Sequence, residues 1–225
     1  MFYDYVKLFF APLVRVYLRL KVLDRGNVPS QGPVILVANH ASFLDPIVLG
    51  SACPRRIHFI VLQEMYDWLS LRWFYWGMGT IPVRTEEGEP RAIKKALARL
   101  RKGEVVGVFP EGERSSDGAM SRAKVGAALL AAVSGAPVIP CHIRGAYDSM
   151  PRGSRFPWPA RVWVRFGKPL HFPSEEKRHR DRSEMQEFAT GLLLAIARLR
   201  EDDSSEGQSR GRGQRAAADR LSRNP

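Results

Sequence analysis

Cysteine is scarce in this chain. Cys53 and Cys141 are too few and too scattered for a disulfide framework, and no Cys/His pair has zinc-ligand spacing. A reducing compartment follows as the default, and no pattern calls for a metal or a cofactor. Long hydrophobic runs are missing from the N-terminal stretch too: the longest uncharged run there, Leu8 to Val14, falls far short of the roughly 20 residues a bilayer span needs. No small-residue cleavage site follows, which speaks against a cleaved signal peptide. No G-x-S-x-G elbow is present, so the usual signature of a serine nucleophile is absent.

What the chain does have is positive charge. Its 225 residues are 44% hydrophobic and 26% charged, ordinary for a globular protein, yet the formal net charge is +12. Residues 201–225 hold five Arg against five acids, so the whole excess sits on residues 1–200. That placement suits an anionic partner such as a lipid surface, a phosphorylated substrate or nucleic acid. From Asp202 onward the sequence lacks aromatics and has one large aliphatic residue, Leu221, which predicts a disordered tail over 201–225. With no net charge, that tail gives no reason to expect specific nucleic-acid binding.

Residues 1–23, MFYDYVKLFFAPLVRVYLRLKVL, place Lys7, Arg15 and Arg19 on one side of a helix, with Phe9, Phe10, Leu13, Val16, Tyr17 and Leu20 filling much of the rest. Pro12 is expected to bend or split it. A basic stripe beside a wide apolar face describes a helix lying in the headgroup region of a membrane. The alternative is a helix packed on the core. Residues 1–28 are read as this interfacial anchor.

Beyond it, short apolar runs alternate with helical patterns, which predicts a single α/β domain over 29–200 with a mixed central sheet flanked by helices. Strands are expected at 34–38, 57–62, 80–83, 105–109, 138–143 and 161–166, and helices beginning near Phe43, Glu64, Pro90, Arg122 and Arg182. Pro90 suits a first helical turn, and Gly103 a stop.

The chemistry gathers at strand ends. In 36-LVANHASFLDP-46 an apolar strand runs into Asn39 and His40, and Asp45 follows five residues after the histidine. On one continuous helix those two side chains would point about 140° apart, so they meet only if the chain turns between them. Ser42 as N-cap of a helix from Phe43 supplies the turn. Asp45 then fixes the imidazole tautomer while the other ring nitrogen takes a proton from a hydroxyl. With no serine elbow, that hydroxyl is expected to belong to a substrate, which would make the reaction a direct acyl transfer.

Two more segments share this placement. In 109-FPEGERSSDG-118, Arg114 offers a forked donor set fitted to phosphate and Gly112 lets backbone approach a ligand. In 79-GTIPVRT-85, Arg84 ends a short strand, and 138-VIPCHI-143 reads as a buried one.

NHASFLD, GTIPVR, FPEGERS and VIPCHI, in this order, resemble the four blocks of the glycerolipid acyltransferase family, especially the acylglycerophosphate (lysophosphatidic acid) acyltransferases. The resemblance covers roughly residues 30–145. It implies that His40 and Asp45 are the catalytic dyad, and that Arg84, Glu111, Gly112 and Arg114 hold the acceptor's phosphate. Lys124 with Gly126 resembles the basic residue and glycine that follow the third block. It further implies a fatty acyl thioester on coenzyme A or acyl carrier protein as co-substrate, lysophosphatidic acid or another lysophospholipid or polyol as acceptor, and an anionic membrane surface as partner. The implied location is the cytoplasmic face of a membrane, peripheral or monotopic. Glu113 stands where relatives commonly carry a small hydroxyl residue, and Thr85 also departs from the pattern, which leaves the acceptor open.

Overall fold

A computed structural model describes residues 2–63, 72–84, 90–111, 123–151, 153–173 and 181–221, with backbone alone for 72–74 and 202–221. Seven strands form one sheet: β1 (Lys21–Leu23), β2 (Val34–Ala38), β3 (Ile57–Leu62), β4 (Ile81–Val83), β5 (Val105–Val108), β6 (Val138–Arg144) and β7 (Trp163–Phe166). Their order is β1-β7-β6-β2-β5-β3-β4, parallel throughout except where β6 meets β7. The sheet is therefore mixed. From β2 the chain winds outward through β3 and β4, returns as β5, and crosses to β6 on the other side, so β2 stands where the winding reverses. In open α/β sheets ligands bind at such a point, beyond the carboxyl ends of the strands.

Every residue of β2 is buried, as expected for a central parallel strand covered on both faces. Alternation along it feeds two cores. Val34, Leu36 and Ala38 pack with Val48 and Leu49 of α2 (Asp45–Ala52), while Ile35 and Val37 pack with residues of α4 (Pro90–Arg101), α5 (Gly126–Ser134) and α7 (Arg182–Leu221). The short helix α3 (Arg72–Met78) precedes β4, and α6 (Ala146–Ser149) follows β6. The helix expected near Glu64 falls on a position outside the described residues. The helix expected near Arg122 begins at Gly126.

The N-terminal segment differs from the expected separate anchor. Helix α1 (Phe2–Tyr17) is not split by Pro12. Tyr3, Lys7, Ala11, Val14 and Leu18, spaced at three and four residues, form the side that docks. Tyr3, Ala11 and Leu18 are buried, and Lys7 Nζ donates to the Cys53 carbonyl at 2.7 Å and to that of Arg55 at 3.3 Å. Arg15 Nη2 donates to the Ser51 carbonyl at 2.8 Å. Two members of the expected headgroup-facing stripe thus satisfy carbonyls at the C-terminal end of α2, where cations are favoured. Partial burial of Lys7 holds its ammonium below the usual range. What α1 leaves outside is the opposite, apolar side: Leu8, Phe9, Phe10, Leu13, Val16 and Tyr17 are exposed.

The expected boundary at residue 28 is also corrected. Lys21–Leu23 pairs with β7, and Leu18 and Val28 join the core, so residues 18–28 belong to the domain. At the other end, α7 continues as helical backbone to Leu221, through the segment read as a tail; among the residues whose side chains are described, the last in the buried core is Ile196. The Ala216–Ala218 run favours helix by its intrinsic propensity. Among the described residues, no helix is long and apolar enough to cross a membrane.

Candidate active site

Strand β2 delivers Asn39 and His40 to the carboxyl edge of the sheet. The Asn39 side chain continues the β2–β6 ladder in place of backbone: its Nδ2 donates to the Ile143 carbonyl at 2.9 Å and its Oδ1 accepts from the Ile143 N–H at 2.8 Å. This clamps the chain just before the histidine. His40 Nδ1 then lies 2.9 Å from Asp45 Oδ2.

The turn that brings them together is built differently from the expected Ser42 cap. Helix α2 begins at Asp45, its N-cap is Leu44 with no side-chain bond, and the Asp45 carboxylate itself folds back. Its Oδ2 accepts from the backbone N–H groups of Ala41 and Ser42, both at 2.7 Å, as well as from the imidazole. A carboxylate, acceptor-only when ionised, outcompetes a serine hydroxyl for these amides. The buried Ser42 keeps part of the expected cap, its Oγ accepting the Leu44 N–H at 3.3 Å while donating to the Met150 carbonyl at 2.9 Å, which ties the turn to the segment after β6.

Because the Asp45 oxygen can only accept, Nδ1 carries the proton and Nε2 presents its lone pair. The two partners differ in access: the His40 side chain is 18% exposed and that of Asp45 1%. Nε2 makes no hydrogen bond among the described residues. The ring is also held by its faces, stacked on Phe109 with centroids 4.1 Å apart and planes 19° apart. Phe109 stacks in turn on Phe59 at 5.9 Å. Gly107 makes room for this pile, since a Cβ there would come within 2.6 Å of the Phe59 ring and 2.7 Å of Ile57.

Strand β5 leads to Phe109, Pro110 and Glu111. Glu111 is buried, and its Oε1 accepts from the His40 backbone N–H at 3.1 Å. Assigned by resemblance to the acceptor's phosphate, this carboxylate is placed beside the histidine's own main chain. The Lys124 N–H donates to the Pro110 carbonyl at 2.8 Å, bringing half-buried Lys124 and Gly126 against the third block. Arg84 is exposed at the carboxyl end of edge strand β4, three strands from β2. Strand spacing makes that about 14 Å at the backbone. Gly112, Arg114 and Glu113 lie outside the described residues, as does Thr85.

The structure therefore brings together His40, Asp45 and Glu111, with the Lys124 backbone held on Pro110 next to Glu111 and Arg84 on the same edge of the sheet. Sequence reasoning gave no role to Asn39 or Phe109, and it gave the Ser42 hydroxyl a cap but not its bond to Met150. Each acts through a partner 69 to 108 positions away in the chain, which no local pattern announces.

A family model described as Acyltransferase matches residues 19–144, more than half of the chain, and the chain belongs to that family. It is similar to the 1-acyl-sn-glycerol-3-phosphate acyltransferase of Bacillus subtilis, 29% identical over 75% of this chain and 87% of that protein. It is also similar to the chloroplastic 1-acyl-sn-glycerol-3-phosphate acyltransferase LPAT1 of Arabidopsis thaliana, 31% identical over 66% of this chain but only 42% of that longer protein. A lyso-ornithine lipid O-acyltransferase of Pseudomonas aeruginosa is 32% identical over 60% of this chain and 51% of its own length. Among solved structures, the 1-acyl-sn-glycerophosphate (LPA) acyltransferase PlsC of Thermotoga maritima has the same fold, with TM-score 0.68 and 23% identity over 89% of this chain and 82% of that one. The chain is an acyltransferase of the class that contains the 1-acylglycerol-3-phosphate enzymes.

Proposed function

We propose that this chain transfers a fatty acyl group from an acyl thioester to the free hydroxyl of lysophosphatidic acid, giving phosphatidic acid. The observation that carries the reading is the His40–Asp45 contact at the carboxyl edge of the sheet, with Nε2 making no hydrogen bond among the described residues. His40 Nε2 takes the hydroxyl proton as the oxygen attacks the thioester carbonyl carbon. Asp45 stabilises the positive charge that forms on the ring. When the tetrahedral intermediate collapses, the carbon–sulfur bond breaks and the imidazolium returns its proton to the departing thiolate. General-base assistance of this kind contributes roughly a hundred- to ten-thousand-fold. The thiol carrier is coenzyme A or acyl carrier protein, and no metal or other cofactor takes part.

Arg84, Lys124 and the Gly112–Arg114 segment supply cationic and backbone donors for the acceptor's phosphate. Since Arg84 lies about 14 Å from His40 at the backbone, its long side chain must reach inward for one acceptor to set its hydroxyl at the imidazole and its phosphate at the guanidinium. In this reading Glu111 serves the dyad rather than the phosphate. The protein works at an anionic membrane surface, on the cytoplasmic side, peripheral or monotopic, with the apolar outer side of α1 against the lipid.

A second acceptor class has its own support. One relative is named for a lyso-ornithine lipid, and Glu113 replaces the small hydroxyl residue common in the third block. A screen of lysophospholipids and polyols against one labelled acyl thioester separates the readings. Preference for lysophosphatidic acid, lost in Arg84→Ala or Arg114→Ala through a raised KM, supports the phosphate assignment. Equal losses toward phosphorylated and unphosphorylated acceptors overturn it.

A further inference from the structure

After α6, whose Asp148 is exposed, the chain runs to β7 as 150-MPRGSRFPWPAR-161: three arginines, two bulky aromatics and no acid. With α6 it joins the carboxyl end of β6 to the amino end of antiparallel β7, so it stands on the same edge of the sheet as His40. Main-chain atoms anchor it. The Trp158 N–H donates to the Ser149 carbonyl at 2.8 Å, and Ser149 Oγ donates to the Trp158 carbonyl at 2.6 Å. Ser154 Oγ donates to the Phe156 carbonyl at 3.0 Å. Tyr17 Oη, at the end of α1, donates to the Pro157 carbonyl at 2.8 Å. Yet Phe156 is 77% exposed and Trp158 71%.

A backbone fixed at four points thus presents two aromatic side chains to solvent. Tyr17 joins this loop to the exposed apolar side of α1. At the other end of α1, Phe2 lies against Gly77 of α3, where Trp76 is 81% exposed. An apolar band therefore runs from Trp76 across α1 to Phe156 and Trp158, far more than the scattered apolar residues of an ordinary surface. Arg19, Lys21, Arg155 and Arg161 are exposed near its loop end. Aromatics flanked by arginines match the layered polarity of an anionic bilayer, whose apolar interior takes the rings and whose headgroups take the guanidinium groups.

We propose that the loop carrying Phe156 and Trp158 is a second bilayer-inserting element, acting with α1 to seat the catalytic edge of the sheet on an anionic leaflet. The inference rests on the membrane reading given above and adds to it a contact 140 residues away in sequence. With α1 alone the protein could pivot about the helix axis. With the loop also inserted, the mouth at His40 faces the leaflet that holds the acceptor.

The test compares the full chain, Phe156→Ser/Trp158→Ser and Phe9→Ser/Leu13→Ser in sedimentation with vesicles of equal parts phosphatidylglycerol and phosphatidylcholine. The anchors at the loop are main-chain or distant atoms, so the first variant is expected to keep its fold. Both variants should partition less, the loop variant by about tenfold or more. A milder variant gives an independent readout: brominated acyl chains should quench the full chain's tryptophan fluorescence, and Trp158→Phe should lose part of that quenching while still binding. A loop variant that binds like the parent while the α1 variant is released overturns the loop's role and leaves the membrane reading standing. Failure of the full chain to sediment overturns both. If the loop substitutions merely convert a dimer to monomers with unchanged partition, the patch joins copies of the chain and the proposal falls.

Discussion

Asp45 Oδ2 gathers three donors at once: the His40 imidazole at 2.9 Å and the Ala41 and Ser42 amides at 2.7 Å each. One oxygen therefore orients the base and folds the turn that delivers it. Oδ1 of the same carboxylate is buried with no hydrogen-bond partner among the described residues. Replacing Asp45 by Asn lets the amide oxygen keep those donors but removes the charge and buries an unsatisfied amino group. Turnover should drop by roughly a hundred- to ten-thousand-fold, with a stability loss of about 1–3 kcal/mol. Steady-state kinetics and a denaturant titration measure the two separately. A stability loss with turnover unchanged would leave Asp45 a purely structural residue.

Glu111 is expected to be a positioning residue. Its carboxylate accepts the His40 N–H, so Glu111→Gln, which keeps an acceptor oxygen, should retain most activity. Glu111→Ala leaves that amide without its partner, at a cost of about 1–3 kcal/mol if it stays dry, and should lower kcat with little change in acceptor KM. A raised acceptor KM at constant kcat would show instead that the carboxylate contacts the acceptor.

Asn39 closes two bonds to one residue of β6. Asn39→Ala should destabilise the fold by about 1–3 kcal/mol through the lost Ile143 partners. Asn39→Asp should be no better, since it keeps the acceptor but sets a carboxylate oxygen against the Ile143 carbonyl. Thermal unfolding of both checks this, and full stability of the Asp variant would contradict it.

His58 makes stability depend on pH. The ring is buried in β3, with Nδ1 2.6 Å from the Gly79 carbonyl and Nε2 3.2 Å from Glu104, while Arg56 and Arg99 also act on it. Burial, the largest influence, holds its pKa below the ordinary 6.5 and outweighs the raising contact with the Gly79 carbonyl. The unfolded chain therefore takes up the proton at higher pH than the native one. Stability is complete above about 6.5 and is lost as pH falls toward the lowered native value. The slope of Tm against pH in this window should be flatter in His58→Gln than in the parent. Identical slopes would exclude His58 as the source.

Much of this was readable from residues 34–62 and 105–111. Central parallel strands announce themselves as continuous apolar runs, and their carboxyl ends mark where polar side chains gather. The meeting of His40 and Asp45 followed from the need for a turn, although Asp45 gathers two of the turn's amides and the Ser42 hydroxyl only one. What stayed hidden is non-local. Lys21–Leu23 is only three residues long and is a strand solely because it pairs with Trp163–Arg165. Lys7 and Arg15 look like a solvent-facing stripe on a helical wheel, and only the position of α2 turns them inward. Glu111 carries no sign of its backbone partner 71 residues earlier.

Replacing His40 by Ala tests the central claim most directly, measured as transfer of a labelled acyl chain from a thioester to lysophosphatidic acid alongside a check that the fold survives. The account predicts an intact fold with turnover reduced by at least roughly a hundred-fold. Near-normal turnover in that variant would contradict it.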